Sequence, residues 1–159
     1  MAPRRRDNDI GLAPDTPVRA DYRRDVYSWS QEQARLIREG RWDEIDRDNV
    51  AEEIESVGRT EFNQLVSALR VLMLHMLKWD HQPERRTRSW ALSIDVQRAD
   101  LDDVLSDNPG LRPRLAEAVA RAYRGARIEA AQETGLESAA FPATCPYSFE
   151  DITARRFSL

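Results

Sequence analysis

Both histidines, the only lysine and two of the four tryptophans fall inside one stretch, Leu65 to Trp90, reading LVSALRVLMLHMLKWDHQPERRTRSW. Its second half mixes Lys78, Arg85, Arg86 and Arg88 with Trp79 and Trp90. Arginine and lysine neutralise phosphate while an indole face stacks a base, so with His81 these residues make a candidate corner for a nucleotide or single-stranded nucleic acid. Asp80, Glu84 and Asp95 lie in the same region, and both tryptophans take inward helical positions. The arginines are therefore expected to bridge the corner to an acidic helix through bidentate pairing.

Carboxylates supply a second candidate. Glu52 and Glu55 stand one helical turn apart, and Asp100 and Asp103 repeat that spacing on another helix. Facing each other, two such pairs would hold Mg²⁺ or Mn²⁺, which prefer carboxylate oxygen, as in helical metal-dependent hydrolases. The i, i+3 spacing is common on any charged helix, and acid near a helix start is favoured by the dipole. A capped, solvated face is the competing reading. His75 sits on an apolar face and is expected to be a core histidine that donates one ring N–H to a carbonyl or carboxylate. His81 lies six residues later, past the helix end, a spacing that matches no helical metal pair. Cys145, set among Phe141, Pro142 and Tyr147, reads as packing rather than as an activated nucleophile. No Ser, His, Asp arrangement and no glycine-rich phosphate loop is legible, so no catalytic residue is assigned and no cofactor is implied.

The elements that must position these groups follow from periodicity. Tyr22, Val26, Trp29, Leu36 and Ile37 recur near helical spacing, with Asp21 or Asp25 as cap and Gly40 as stop, which predicts a first helix ending at Glu39. Trp42 and Ile45 are expected to plug one end of the core. A long helix follows from about Asp48 to Trp79, opened by a capping box of Asn49 and Glu52 and stepping inward through Ile54, Gly58, Glu61, Leu65, Ala68, Leu72, His75 and Trp79. Gly58 is a candidate kink. Pro83 ends that helix, and a third starts near Thr87 or Ser89 with Trp90, Ile94, Leu101, Val104 and Leu105 inward. After the turn DNPG, a fourth runs from about Arg112 to Glu133, with Leu115, Val119, Tyr123 and Ala126 inward and Gly135 beyond its end. The alanine-rich face of this helix permits close approach to a neighbour. FPATCPYSFEDI is a loop leading to a short helix capped by Ser148 with Asp151 three residues on. Period-two alternation is absent. The expectation is an all-α chain, an up-and-down bundle of about four principal helices with a short C-terminal helix.

Length and composition bound the rest. A chain of 159 residues with 41% hydrophobic content suits one domain, whose core needs neither disulfide nor metal. Residues 1–20 hold three prolines and clustered charge, and read as a flexible arm; residues 21–159 read as a single helical domain. Nothing at the start resembles the apolar core of a signal peptide, and nothing approaches the roughly twenty apolar residues of a membrane span. The lone cysteine fits a reducing compartment. A soluble, cytoplasmic protein without a membrane partner is expected. Net charge is −4, which supplies no global drive toward nucleic acid. Of the 24 basic residues only Lys78 is lysine, a skew that GC-rich coding explains more simply than recognition does.

Several phrases, taken in order, resemble the bacterial family known as domain of unknown function twenty-nine: YRRDVYSWSQEQARLIREG, NVAEEIESVG, LHMLKWDHQPERRTRSW, ETGL and FPATCPYSFEDI. The similarity covers about Asp21 to Ile152, and the tail before it lies outside. What the resemblance implies is a small α-helical bacterial domain, with no activity, ligand or site residue to carry over. With a helical core and no catalytic constellation, the leading expectation is a non-catalytic protein–protein interaction module that binds another protein or itself. Nucleic-acid or nucleotide binding through Arg85, Arg86 and Arg88 comes second, and a carboxylate-metal hydrolase third.

Overall fold

The structure is a computed structural model that describes residues 20–159; the arm expected over residues 1–20 therefore lies, except for Ala20, outside the described residues. The chain divides into two compact units, Met1–Ile54 and Glu55–Leu159. Among the described residues every regular element is helical.

In the first unit, α1 (Val26–Arg38) begins where the Asp25 carboxylate accepts from the Ser28 N–H at 2.9 Å. It stops at Gly40, whose φ of +71° is a left-handed conformation that side-chain-bearing residues avoid. The inward face of α1 carries Trp29, Gln33 and Leu36. The Trp29 indole donates to Asp46 at 3.1 Å, and the Gln33 side-chain oxygen accepts from the Asp46 N–H at 2.8 Å. These bonds set the chain's entry into α2 (Arg47–His81). Asp46 also accepts from the Asn49 amide, so it, rather than the expected pair of Asn49 and Glu52, caps the helix. Trp42 does not plug a core: it sits in a single 3-10 turn and is 60% exposed. Ile54, expected on the inward face of α2, is exposed as well.

The second unit is a bundle of the remainder of α2 with α3 (Arg88–Asp107) and α4 (Leu115–Thr134), closed by the short α5 (Phe149–Ala154). Helix α2 passes Gly58 without a break. Lys78 lies over Trp90 while Glu61 accepts from Asn108, so α2 and α3 are antiparallel. Arg114 lies over Phe62 and Lys78 pairs with Glu133, so α4 runs alongside α2 in the same direction. The up-and-down order follows. The bundle reaches back along α2 only to Glu61 and Phe62; Val57, one turn earlier, stays exposed.

The Thr87 hydroxyl accepts from the Trp90 N–H to start α3. A six-residue 3-10 segment, Pro109–Arg114, delays α4 to Leu115, and Gly135 at φ +72° ends it. The capping box of Ser148 and Asp151 opens α5 as expected, with the Asp151 N–H donating to the Ser148 hydroxyl at 3.0 Å. Leu65, Leu69, Leu72, Met73, Met76 and Leu77 from α2 meet Ile94 and Leu101 from α3 in one cluster. On the α4 side the cluster is completed by Ala118, Ala122, Ala126 and Ala130, each fully buried. Spacing of four along α4 gathers these methyls into one stripe, and small side chains there let helix backbones come close. Among the described residues no helix is long and apolar enough to cross a membrane.

Candidate functional site

The charged corner after α2 is largely spent on holding itself together. Lys78 is buried, its Nζ 2.6 Å from the Glu133 carboxylate and 4.6 Å from the Trp90 ring centre. Arg86 donates from Nε to the Trp79 carbonyl at 2.9 Å and lies over the Trp79 ring. His81 Nδ1 is 2.9 Å from the Leu77 carbonyl, and its ring rests 4.7 Å from that of Phe141. Arg85 and Arg88 are exposed and form no ion pair among the described residues. The expected bridges from these arginines to an acidic helix are therefore not made. Asp80 takes its charge partner from the far end of the chain: Arg155 grips it with two nitrogens, at 2.9 and 2.5 Å, and the Tyr147 hydroxyl donates to it at 3.0 Å. Nothing in local spacing reveals a pairing between residues 75 positions apart. Burial and the neighbouring Asp80 carboxylate push the Tyr147 hydroxyl pKa well above its ordinary value, and the Asp80 bond raises that of Arg155.

His75 also departs from expectation. Its Nδ1 is buried without a hydrogen-bond partner, where a bond to a carbonyl or carboxylate was expected. Burial pushes the imidazole pKa below its ordinary value, and the Lys78 ammonium adds to this against a smaller opposing effect of Glu133. A neutral ring protonated on Nε2 leaves Nδ1 as a bare acceptor, which costs less than an unpaired buried N–H cation.

The carboxylate pairs are not assembled into a four-sided site. Glu52 is exposed on the opening turns of α2, and Glu55 is exposed and 3.6 Å from Arg59. Asp100 accepts from Gln97, and together with Asp103, Glu61 and Asp107 it lines a cleft of about 400 Å³ between α2 and α3. Among the described residues no three His, Cys, Asp or Glu side chains converge so as to hold a metal ion.

A feature missed by sequence reasoning is an apolar groove of about 720 Å³ between the first half of α4 and the loop before α5. Leu115, Val119 and Tyr123 form one wall, and Cys145, Tyr147 and Phe149 the other. The two tyrosines keep their apolar bodies toward the groove because their hydroxyls are tied elsewhere, Tyr123 donating to the Pro142 carbonyl at 2.7 Å and Tyr147 to Asp80. Among the described residues Arg124 is the only charged side chain lining it. The Cys145 sulfur rests 3.6 Å from both the Met73 sulfur and the Tyr147 carbonyl, and burial pushes the thiol pKa up. A thiol held protonated in this way packs rather than attacks. The spacing of Leu115, Val119 and Tyr123 reads as an ordinary core stripe. Tyr123 is indeed buried in the core, whereas Leu115 and Val119 pack against it half-buried and face the groove.

A family model described as "Domain of unknown function DUF29" matches residues 22–158. The search of curated proteins and that of solved structures found no match.

Proposed function

We propose that this chain, which belongs to the DUF29 family, acts as a non-catalytic helical module that binds a partner protein in the groove between α4 and the loop before α5. The groove itself is the observation that carries the reading. Its lining is mostly apolar, with Arg124 and Thr144 as polar exceptions, and its walls are fixed by the bonds of Tyr123 and Tyr147. A concave apolar surface of this size with one charge at its edge suits a short apolar segment flanked by an acidic residue. The lining favours binding over chemistry: burial pushes the Cys145 thiol pKa up, which disfavours the thiolate that a nucleophilic role requires.

Ala116→Glu tests the reading. Ala116 is exposed on α4 and lines the groove, so the new carboxylate intrudes there without touching the core. The wild-type chain should bind an apolar fluorescent probe and co-purify a partner, and the variant should lose both with unchanged helicity. Retention of partner and probe by the variant removes the groove from the function.

Nucleic-acid binding remains the alternative on the strength of Arg85 and Arg88, which stand exposed and unpaired among the described residues. It is the weaker reading because Lys78 and Arg86 already have partners. The hydrolase reading is weaker again, for want of converging ligands.

A further inference from the structure

The outward side of α3 has base before its exposed apolar pair and acid after it, while Asp95 between them is paired with Arg98. Leu92 and Val96 are about half exposed, opposite the fully buried Ile94. Ser89, Ser93 and Val71 of α2 surround them in a shallow groove of about 440 Å³. Arg85 and Arg88 stand at the N-terminal end of this face, and Asp100 and Asp103 toward its C-terminal end. Arg88 alone of the four lies in an end turn of α3, where the helix dipole disfavours a cation; Arg85 precedes the helix. Among the described residues none of these four side chains forms an ion pair. Charges segregated by sign and left without an ionic partner suit a partner that presents the opposite order.

This same face, turned end for end, is such a partner. Leu92 and Val96 lie two residues either side of Ile94, Arg88 and Asp100 six, and Arg85 and Asp103 nine. We propose that a second copy of this chain docks here, α3 against α3, antiparallel about a two-fold axis near Ile94. Leu92 of each copy then meets Val96 of the other, and the basic end of each face lies along the acidic end of its partner. A two-fold interface requires a self-complementary patch, and the symmetry of this pattern about one residue satisfies that requirement. The serines beside the apolar pair are small enough for the helices to approach closely. The contact uses a different face from the α4 groove, so it stands or falls separately from the proposed partner site.

Sedimentation velocity with charge-reversed chains tests it. The Arg85→Glu, Arg88→Glu variant has an all-acidic face, and the Asp100→Arg, Asp103→Arg variant an all-basic one. All four positions are exposed, so both variants should keep wild-type helicity. The wild-type chain should dimerise, less so as salt rises, and each variant alone should self-associate about a hundredfold more weakly. An equimolar mixture of the two should form a heterodimer, while Ala116→Glu should dimerise like the wild type. The proposal is overturned if the wild-type chain stays monomeric up to about 0.5 mM, if the reversed variants dimerise as well as it does, or if mixing restores nothing.

Discussion

Helices α3 and α4 are each twenty residues long and each bury an apolar stripe, yet α3 also carries an apolar pair on its outer side that stays uncovered. On α4, Ala118, Ala122, Ala126 and Ala130 are fully buried, and the adjoining charges Glu129 and Glu133 are paired with Arg70 and Lys78 of α2. On the outer side of α3, larger residues, Leu92 and Val96, stay about half exposed, and Arg85, Arg88, Asp100 and Asp103 around them have no ionic partner within the described residues. Side-chain size does not decide burial here. What separates the faces is whether a neighbouring helix supplies both the apolar surface and the opposite charge, as α2 does for α4 and a second copy would for α3.

The largest expected effect comes from adding the same bulk to both faces. Ala126→Leu forces three extra carbons into a stripe with no free space, and overpacking of this kind costs about 1–3 kcal/mol. Ala99→Leu adds them to the exposed side of α3, where changes usually stay within about 0.5 kcal/mol. Urea unfolding at a concentration where the chain is monomeric measures both. Equal losses would mean that the outer face of α3 is already packed and would remove the contrast.

Much of this contrast was legible in the sequence. Helix limits follow from caps and stops that act within four residues, as at Asp25, Thr87, Ser148, Gly40 and Gly135. The alanine face of α4 also announced close approach. Periodicity, however, shows which residues share a face and not what covers it. Ile54 therefore continues the inward pattern of α2 and is nonetheless exposed, while Leu115 and Val119 pack against the core as expected and also line a groove. The Asp80 pairing and the partnerless His75 depend on contacts made far along the chain or not made at all.

A middle-sized effect separates the two ends of the ion pair joining α2 to α4. The Lys78 side chain is 10% exposed and that of Glu133 47%. Removing the acid by Glu133→Ala leaves a buried ammonium with only the Trp90 face, at a cost of about 1–3 kcal/mol. Removing the base by Lys78→Met leaves a carboxylate that water can reach and keeps the apolar stem, so the loss should be under about 1 kcal/mol. Thermal melts of the two single variants check the asymmetry. A larger loss for Lys78→Met would show that the pair is held by its charge on α2 rather than by burial.

The smallest effect concerns His75, the one flaw in the otherwise paired side of α2, and it appears as a pH dependence. The folded-state pKa lies below the ordinary 6.5, chiefly through burial, so the unfolded chain takes up this proton first as pH falls. Above 6.5 both states are neutral at this site and stability is unaffected by it. Below 6.5 the unfolded state binds more protons than the folded one, and stability falls with pH until the folded ring also protonates. Protonation within the fold is opposed on its own helix by Lys78 and assisted from α4 by Glu133, the weaker influence. His75→Leu removes both the titration and the bare Nδ1. The difference in urea midpoint between variant and wild type should therefore grow in the variant's favour between pH 7.5 and 5.5, whatever the carboxylates contribute to both. A difference that stays constant over that range would mean that the ring titrates alike folded and unfolded, and that this side of α2 is as open to water as the outer face of α3.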